Sequence, residues 1–138
     1  VSRFCTVETQ FKDENALIAA LMETGEWSQE QIEIHAEPQH LFGYHGDRRS
    51  ETATIIVRRK FINSASNDIG FVRGESGNYE AIISEYDRSK YGIKWMATLK
   101  ANYCYHKIKK EQENRGRKVA RTRCPQTGKQ RIEIVGYR

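Results

Sequence analysis

The chain predicts an α+β domain, a single antiparallel sheet with two helices packed on one face. Three observations lead there. Short β-rich runs outnumber helical ones, most neighbouring runs are close enough to pair as hairpins, and only two stretches place apolar residues at three- and four-residue spacing. The order is roughly β-α-β-β-β-β-α-β-β. At 138 residues, a single domain over 1–138 can bury one core without covalent staples.

Each element has its own warrant. Arg3 to Gln10 alternates Phe4, Thr6 and Glu8 against Cys5, Val7 and Thr9, the period of a strand. Asp13 stands as an N-cap before Ala16, Leu17, Ala20, Leu21 and Thr24, and Gly25 marks the stop of this amphipathic helix. Glu26 to Gln39 is polar and weakly patterned, with room for a short strand at Ile32–His35, and Leu41 to Tyr44 reads as a brief strand. Glu51 to Phe61 is β-rich, with Ala53, Ile55 and Val57 facing one way. Ile69 to Arg73 and Asn78 to Ser84 flank Gly74-Glu75-Ser76-Gly77 as a hairpin.

The second helix is expected over Ile93 to Asn114. Its first four turns leave only a narrow polar arc (Lys94, Thr98, Asn102, Lys109), which predicts a largely buried start. Gly116 ends it. Lys118–Cys124 and Lys129–Tyr137 then flank the turn signal Pro125-Gln126-Thr127-Gly128. Alternation allows Ala120, Thr122, Ile132 and Ile134 to point inward. Arg117, Arg121, Arg123, Lys129 and Arg131 then share an outward face.

Charge is segregated along the chain. Residues 1–50 carry nine acidic and four basic side chains, whereas residues 101–138 carry three and eleven. Such asymmetry favours an anionic partner at the C-terminal end, or docking of an acidic end on a basic one, within the fold or between copies. Apolar residues make up 38% of the chain and charged residues 30%, and no apolar run approaches the roughly 18 residues of a membrane span. No signal-peptide core opens the chain. Cys5, Cys104 and Cys124, an odd set without paired spacing, read as reduced thiols in a cytoplasmic or other reducing intracellular compartment.

The densest chemical signal runs from Lys107 to Arg131, ten basic residues against Glu111 and Glu113. A basic helix end beside a basic hairpin suits a phosphate backbone. The expected contacts are Lys107, Lys109, Lys110, Arg117, Arg121, Arg123, Lys129 and Arg131, with Tyr105 and His106 as stacking partners. No recognition-helix motif accompanies them, so RNA or single-stranded nucleic acid is favoured over duplex, with low sequence specificity. The alternatives are an accessory module that docks on an acidic protein or self-associates, and a solvated edge whose charges only discourage aggregation.

Other constellations point to structure rather than chemistry. His35, His40 and His45 recur every five residues, which does not converge them on a metal, and no cysteine pair joins them. Cys104 and His106 are two apart on a helix and diverge. Asp68 and Glu80 are the carboxylates best placed for paired acid–base work, yet a strand-end acid more often caps loop backbone. The expectation is a binding protein without catalysis, cofactor or metal.

In order along the chain stand Ser2-x-Phe4, Thr9, Asp13, Leu17-x-x-Ala-Leu21, Gly25, Gly43-Tyr-x-Gly46, Ala53, Asp68-Ile-Gly-Phe71, Gly77-x-Tyr-Glu80, Trp95, Tyr103-x-Tyr-His106 and Gly116. This set resembles the hypothetical chloroplast reading frame thirty-five family, a domain of unknown function in plastids, cyanobacteria and some viruses. The chain departs from that pattern in a longer 26–39 segment and a very basic closing hairpin. The resemblance implies a small intracellular single domain, and brings no activity, cofactor or catalytic residue.

Overall fold

The computed structural model describes residues 3–137. Its elements are β1 (Phe4–Glu8), α1 (Glu14–Gly25), β2 (Ile32–Phe42), β3 (Arg48–Val57), β4 (Ile69–Arg73), β5 (Tyr79–Ser84), α2 (Ile93–Asn114), β6 (Arg117–Arg123) and β7 (Gln130–Tyr137). The first five strands form one antiparallel sheet in the order β1-β5-β4-β3-β2. The α+β class and the element order are as expected. The closing hairpin, however, stands apart as its own two-stranded sheet. No helix among the described residues is long and apolar enough to cross a membrane.

The helices cover one face of the large sheet. Leu17 and Leu21 of α1 and Leu99 of α2, all fully buried, meet Ile55, Phe71 and Ile83 of the strands. The opposite face is apolar too, where Phe4, Leu41, Ala53, Ile56 and Ile82 cluster. Burial on both faces explains the unbroken run Ile55-Ile56-Val57 in β3. It also corrects one expected face: Ile55 and Val57 join the helix side, but Ala53 joins the other. Pairing of β2 with β3 shifts register between Ile34 and Gln39, and again between His40 and Phe42. Those irregularities merge the two short strands expected around Pro38 into one edge strand, where a residue without an N–H is tolerated.

Helix α1 starts where its cap predicts. Asp13 Oδ1 accepts from the Ala16 N–H at 3.0 Å, and the Tyr103 hydroxyl of α2 accepts from the N–H groups of Lys12 and Asp13 at 3.0 and 2.9 Å. Thus α2 clasps the open amides at the start of α1. At the other end the left-handed position falls on Glu26 (φ 56°), one residue beyond the glycine. Gly25 answers a different demand: a Cβ there would lie 2.2 Å from the Trp27 ring. That ring is buried, donates to the Phe61 carbonyl at 3.2 Å and stacks on Tyr91.

Helix α2 is less buried than its narrow polar arc implies. Leu99, Asn102 and Tyr103 are buried, but Ile93 is 85% exposed. In the first turn Trp95 and Met96 pack against the core while Ile93 turns to solvent.

Gly25→Ala is expected to destabilise the protein by about 1–3 kcal/mol, because the added Cβ would meet the Trp27 ring, which is buried and engaged by the Phe61 carbonyl and Tyr91. Urea unfolding followed by tryptophan fluorescence measures it, and an unchanged midpoint would show that the ring moves freely.

Candidate nucleic-acid interface

Gly116, at φ 78°, reverses the chain after α2 and sends β6 back along the helix. Directly opposed residues of an antiparallel pair share a face. The register sets Arg121 opposite Ile132, Arg123 opposite Gln130 and Val119 opposite Ile134. This face meets α2: Arg117 Nη1 donates to Gln112 Oε1 at 3.0 Å, Arg123 Nη2 to Asn102 Oδ1 at 2.8 Å, and Gln130 Nε2 to the Ala101 carbonyl at 2.7 Å.

The expected division of the hairpin is therefore corrected. Arg117, Arg121 and Arg123 lie on the helix side with Ile132 and Ile134, while Lys118, Ala120, Thr122, Arg131 and Glu133 take the other side. Alternation within each strand was legible; the phase between the strands was not. A one-residue difference in pairing exchanges the faces, and the turn fixes it here through Cys124 N–H to the Lys129 carbonyl and Gly128 N–H to the Cys124 carbonyl, both 2.8 Å.

Arg121 is the most tightly held of the cations. Its Nη1 reaches Glu23 Oε2 at 2.9 Å and Oε1 at 3.2 Å, and its guanidinium lies 3.7 Å over the Tyr105 ring. His106 Nε2 is 2.8 Å from Glu23 Oε1. One carboxylate of α1 thus joins α2 and β6. Buried Asn102 lies beside it, its Nδ2 donating to Thr24 Oγ1 at 2.8 Å and its oxygen accepting from Arg121 and Arg123. Two guanidinium donors fix which end of that amide is oxygen.

The pKa of Glu23 follows from this setting. Burial works to raise it, but hydrogen bonds and attraction from His106 and Arg121 prevail, and the carboxyl titrates below its ordinary value. The same holds at the far edge of the molecule. There burial of Glu33 is outweighed by Arg58 and His35, and its pKa is lowered.

The remaining predicted cations divide. Lys107 pairs with Glu111 at 3.6 Å, Lys109 with Glu113 at 3.0 Å, Lys110 with Asp13 at 3.8 Å and Arg131 with Glu133 at 3.4 Å. Among the described residues Arg123 is hydrogen-bonded to a neutral amide, and Lys129 is exposed beside the turn. The two proposed stacking residues are occupied, Tyr105 by Arg121 and His106 by Glu23. Sequence reasoning missed Glu23 and Asn102 as organisers. Asn102 is expected on the polar arc of the helix but is buried, its amide taken up by Thr24, Arg121 and Arg123, and no local signal marks it as an organiser.

Asp68, His35 and His40 are each engaged within the fold, and Glu80 lies within a strand. Asp68, buried, accepts from the N–H groups of Phe42 and Arg59, each at 2.8 Å, and from Arg58 at 2.9 Å, so the strand-end acid caps backbone as expected. Glu80 sits in β5 opposite Glu8 and Val72. His35 contacts Glu33 at 2.8 Å, and His40 Nδ1 lies 2.7 Å from the Arg49 carbonyl. Among the described residues no group of three or more His, Cys, Asp or Glu is arranged to hold a metal ion.

Replacing Glu23 with Gln is expected to loosen the hairpin from the helices, lowering stability and speeding amide exchange in β6 and β7. Because the folded carboxyl titrates below its unfolded value, its contribution is complete above the ordinary carboxylate range. It is lost as pH falls through the lowered value. Urea midpoints of the native and Glu23→Gln proteins should therefore differ at neutral pH and converge in acid; a gap that stays constant across that range would rule the linkage out.

No match is found among curated proteins or among solved structures. A family model described as "Protein of unknown function (DUF1257)" matches residues 28–133, from just before β2 into β7, and includes α2 and most of the hairpin. By that match over most of its length, the chain belongs to the DUF1257 family of proteins of unknown function.

Proposed function

We propose that the protein is a non-enzymatic nucleic-acid-binding domain that takes RNA or another single strand along the end of α2 and the solvent side of the β6–β7 hairpin. One observation carries this. The described residues 101–137 hold ten lysines and arginines and three glutamates, and the further carboxylates that folding brings into ion-pair distance of them include Glu23 and Asp13. The segment itself carries ten positive charges against three negative ones, an excess that these two carboxylates reduce but do not remove. Exposed ion pairs are worth about 0–1 kcal/mol each and do not cancel the field of such an excess.

The contact set changes accordingly. Arg115, Lys118, Lys129 and Arg131 become the principal phosphate contacts, with Arg123, Lys107 and Lys110 beside them. Arg121 belongs to the architecture. Stacking by Tyr105 or His106 drops out, so binding is electrostatic and sequence-tolerant. The rival function, docking on an acidic protein or on a second copy, draws support from Ile134 and Val135, apolar residues of β7 that are 51% and 55% exposed.

We infer further that the DUF1257 match and the resemblance to the chloroplast reading frame family concern one family. Two of the segments carrying the resemblance, Asp68-Ile-Gly-Phe71 and Tyr103-x-Tyr-His106, fall inside the matched residues. Three unpaired cysteines support a reducing intracellular compartment.

Gel-shift titration of a uridine-rich oligonucleotide at two salt concentrations should give a log–log slope of about −3 for four phosphate contacts. Lys118→Glu with Lys129→Glu should weaken retention about tenfold or more at low salt. Unchanged retention in that double variant would sink the assignment. Arg121→Glu is the wrong probe, since it also breaks the link to Glu23.

A further inference from the structure

The large sheet treats its two edges differently. β2, at one edge, carries Glu33, His35, Glu37 and Pro38, and its pairing shifts register twice. Charges, a proline and irregular pairing are the means by which an edge discourages a foreign strand. β1, at the other edge, pairs with β5 in one unbroken register and contains neither lysine nor proline; its only charge is Glu8, at the end.

Its backbone is poised as well. Continuing the register places Arg3 opposite Glu85, and the Glu85 N–H donates to the Arg3 carbonyl at 2.8 Å. Bonded and non-bonded pairs alternate along an antiparallel ladder. Cys5 and Val7 therefore bond toward β5, and the N–H and C=O groups of Phe4, Thr6 and Glu8 point away from the sheet.

A crevice of about 630 Å³ opens between this edge and the start of α2, walled by Val7, Phe11, Tyr91, Ile93, Met96 and Ala97. Arg88 and Lys100 also line it, and Lys90 and Lys94 line an adjoining hollow beside Ile93. Arg88, Lys94 and Lys100 have no carboxylate within ion-pair distance among the described residues. The nearby acids do not neutralise them. Glu85, in the adjoining hollow, is bridged by Arg3 at 2.8 Å, and Glu8, which also lines the crevice, is one carboxylate against the two cations Arg88 and Lys100.

We propose that this edge and crevice form a docking site for an extended segment of a partner protein. The segment adds a strand beside β1, sets apolar side chains against Ile93 and Met96, and places carboxylates against Arg88 and Lys100. The combination selects a peptide over a polynucleotide: a phosphate backbone would use the cations and leave both the outward amides and the apolar wall without partners.

Fluorescence polarisation tests this on the whole chain. The probe is a short labelled peptide in which valine alternates with threonine before a terminal run of aspartates; its counterparts end in lysines or carry N-methyl groups on alternate amides. The acidic probe should bind saturably, the lysine-ended one about tenfold more weakly, and the N-methylated one not measurably. Arg88→Glu with Lys100→Glu should weaken the acidic probe about tenfold. Thr6→Pro, which removes only an outward N–H, should abolish strand addition while preserving the melting temperature. Equal binding of the N-methylated probe, no saturable binding of any probe, or loss caused mainly by Lys118→Glu with Lys129→Glu would each overturn the proposal. Should Thr6→Pro fail to fold, the N-methylated probe decides alone.

Discussion

The shared carboxylate of Glu23 is the constraint on which the C-terminal half of this molecule depends. The β6–β7 pair has no strand neighbour in the large sheet, and a two-stranded ribbon is marginal in water on its own. What holds it is α2, through Asn102, Gln112 and the Ala101 carbonyl, and α1, through Glu23. Breaking one partner of such a cluster leaves a guanidinium that was placed to be met, which is more disruptive than losing an exposed ion pair.

That arrangement gives the cations two different roles. Arg121 is spent on architecture, clamped between a carboxylate and the face of Tyr105. Arg123 is half-way, hydrogen-bonded to a neutral amide that leaves its charge uncancelled. Lys118 and Lys129 reach solvent. A basic segment in a sequence is thus not one surface: folding partitions it into groups that hold the fold and groups that face a partner, and only the second kind supports a binding function.

The large sheet follows a similar logic. Both its faces are apolar, so both must be covered, the helices sealing one and the β2–β3 end of the sheet closing over the other. The two edges then carry whatever negotiation with other chains remains. An irregular, charged β2 closes one edge, while the short, regular β1 beside the crevice at the start of α2 leaves the other open.

Local signals by themselves determined the α+β class, both helices, the Asp13 cap, the hairpin around Gly77 and the capping role of Asp68. Each depends on a few neighbouring residues: a side-chain oxygen three positions from an amide, a glycine where φ turns positive, apolar spacing that matches one period. Tertiary structure alone decided the rest. Whether Ala53 and Ile55 share a face depends on a register shift in the partner strand, and whether Arg121 faces solvent depends on the phase between β6 and β7. The pairing of Glu23 with a residue 98 positions away has no local trace, because an ion pair is set by where packed elements bring two charges and not by what precedes either one in the chain.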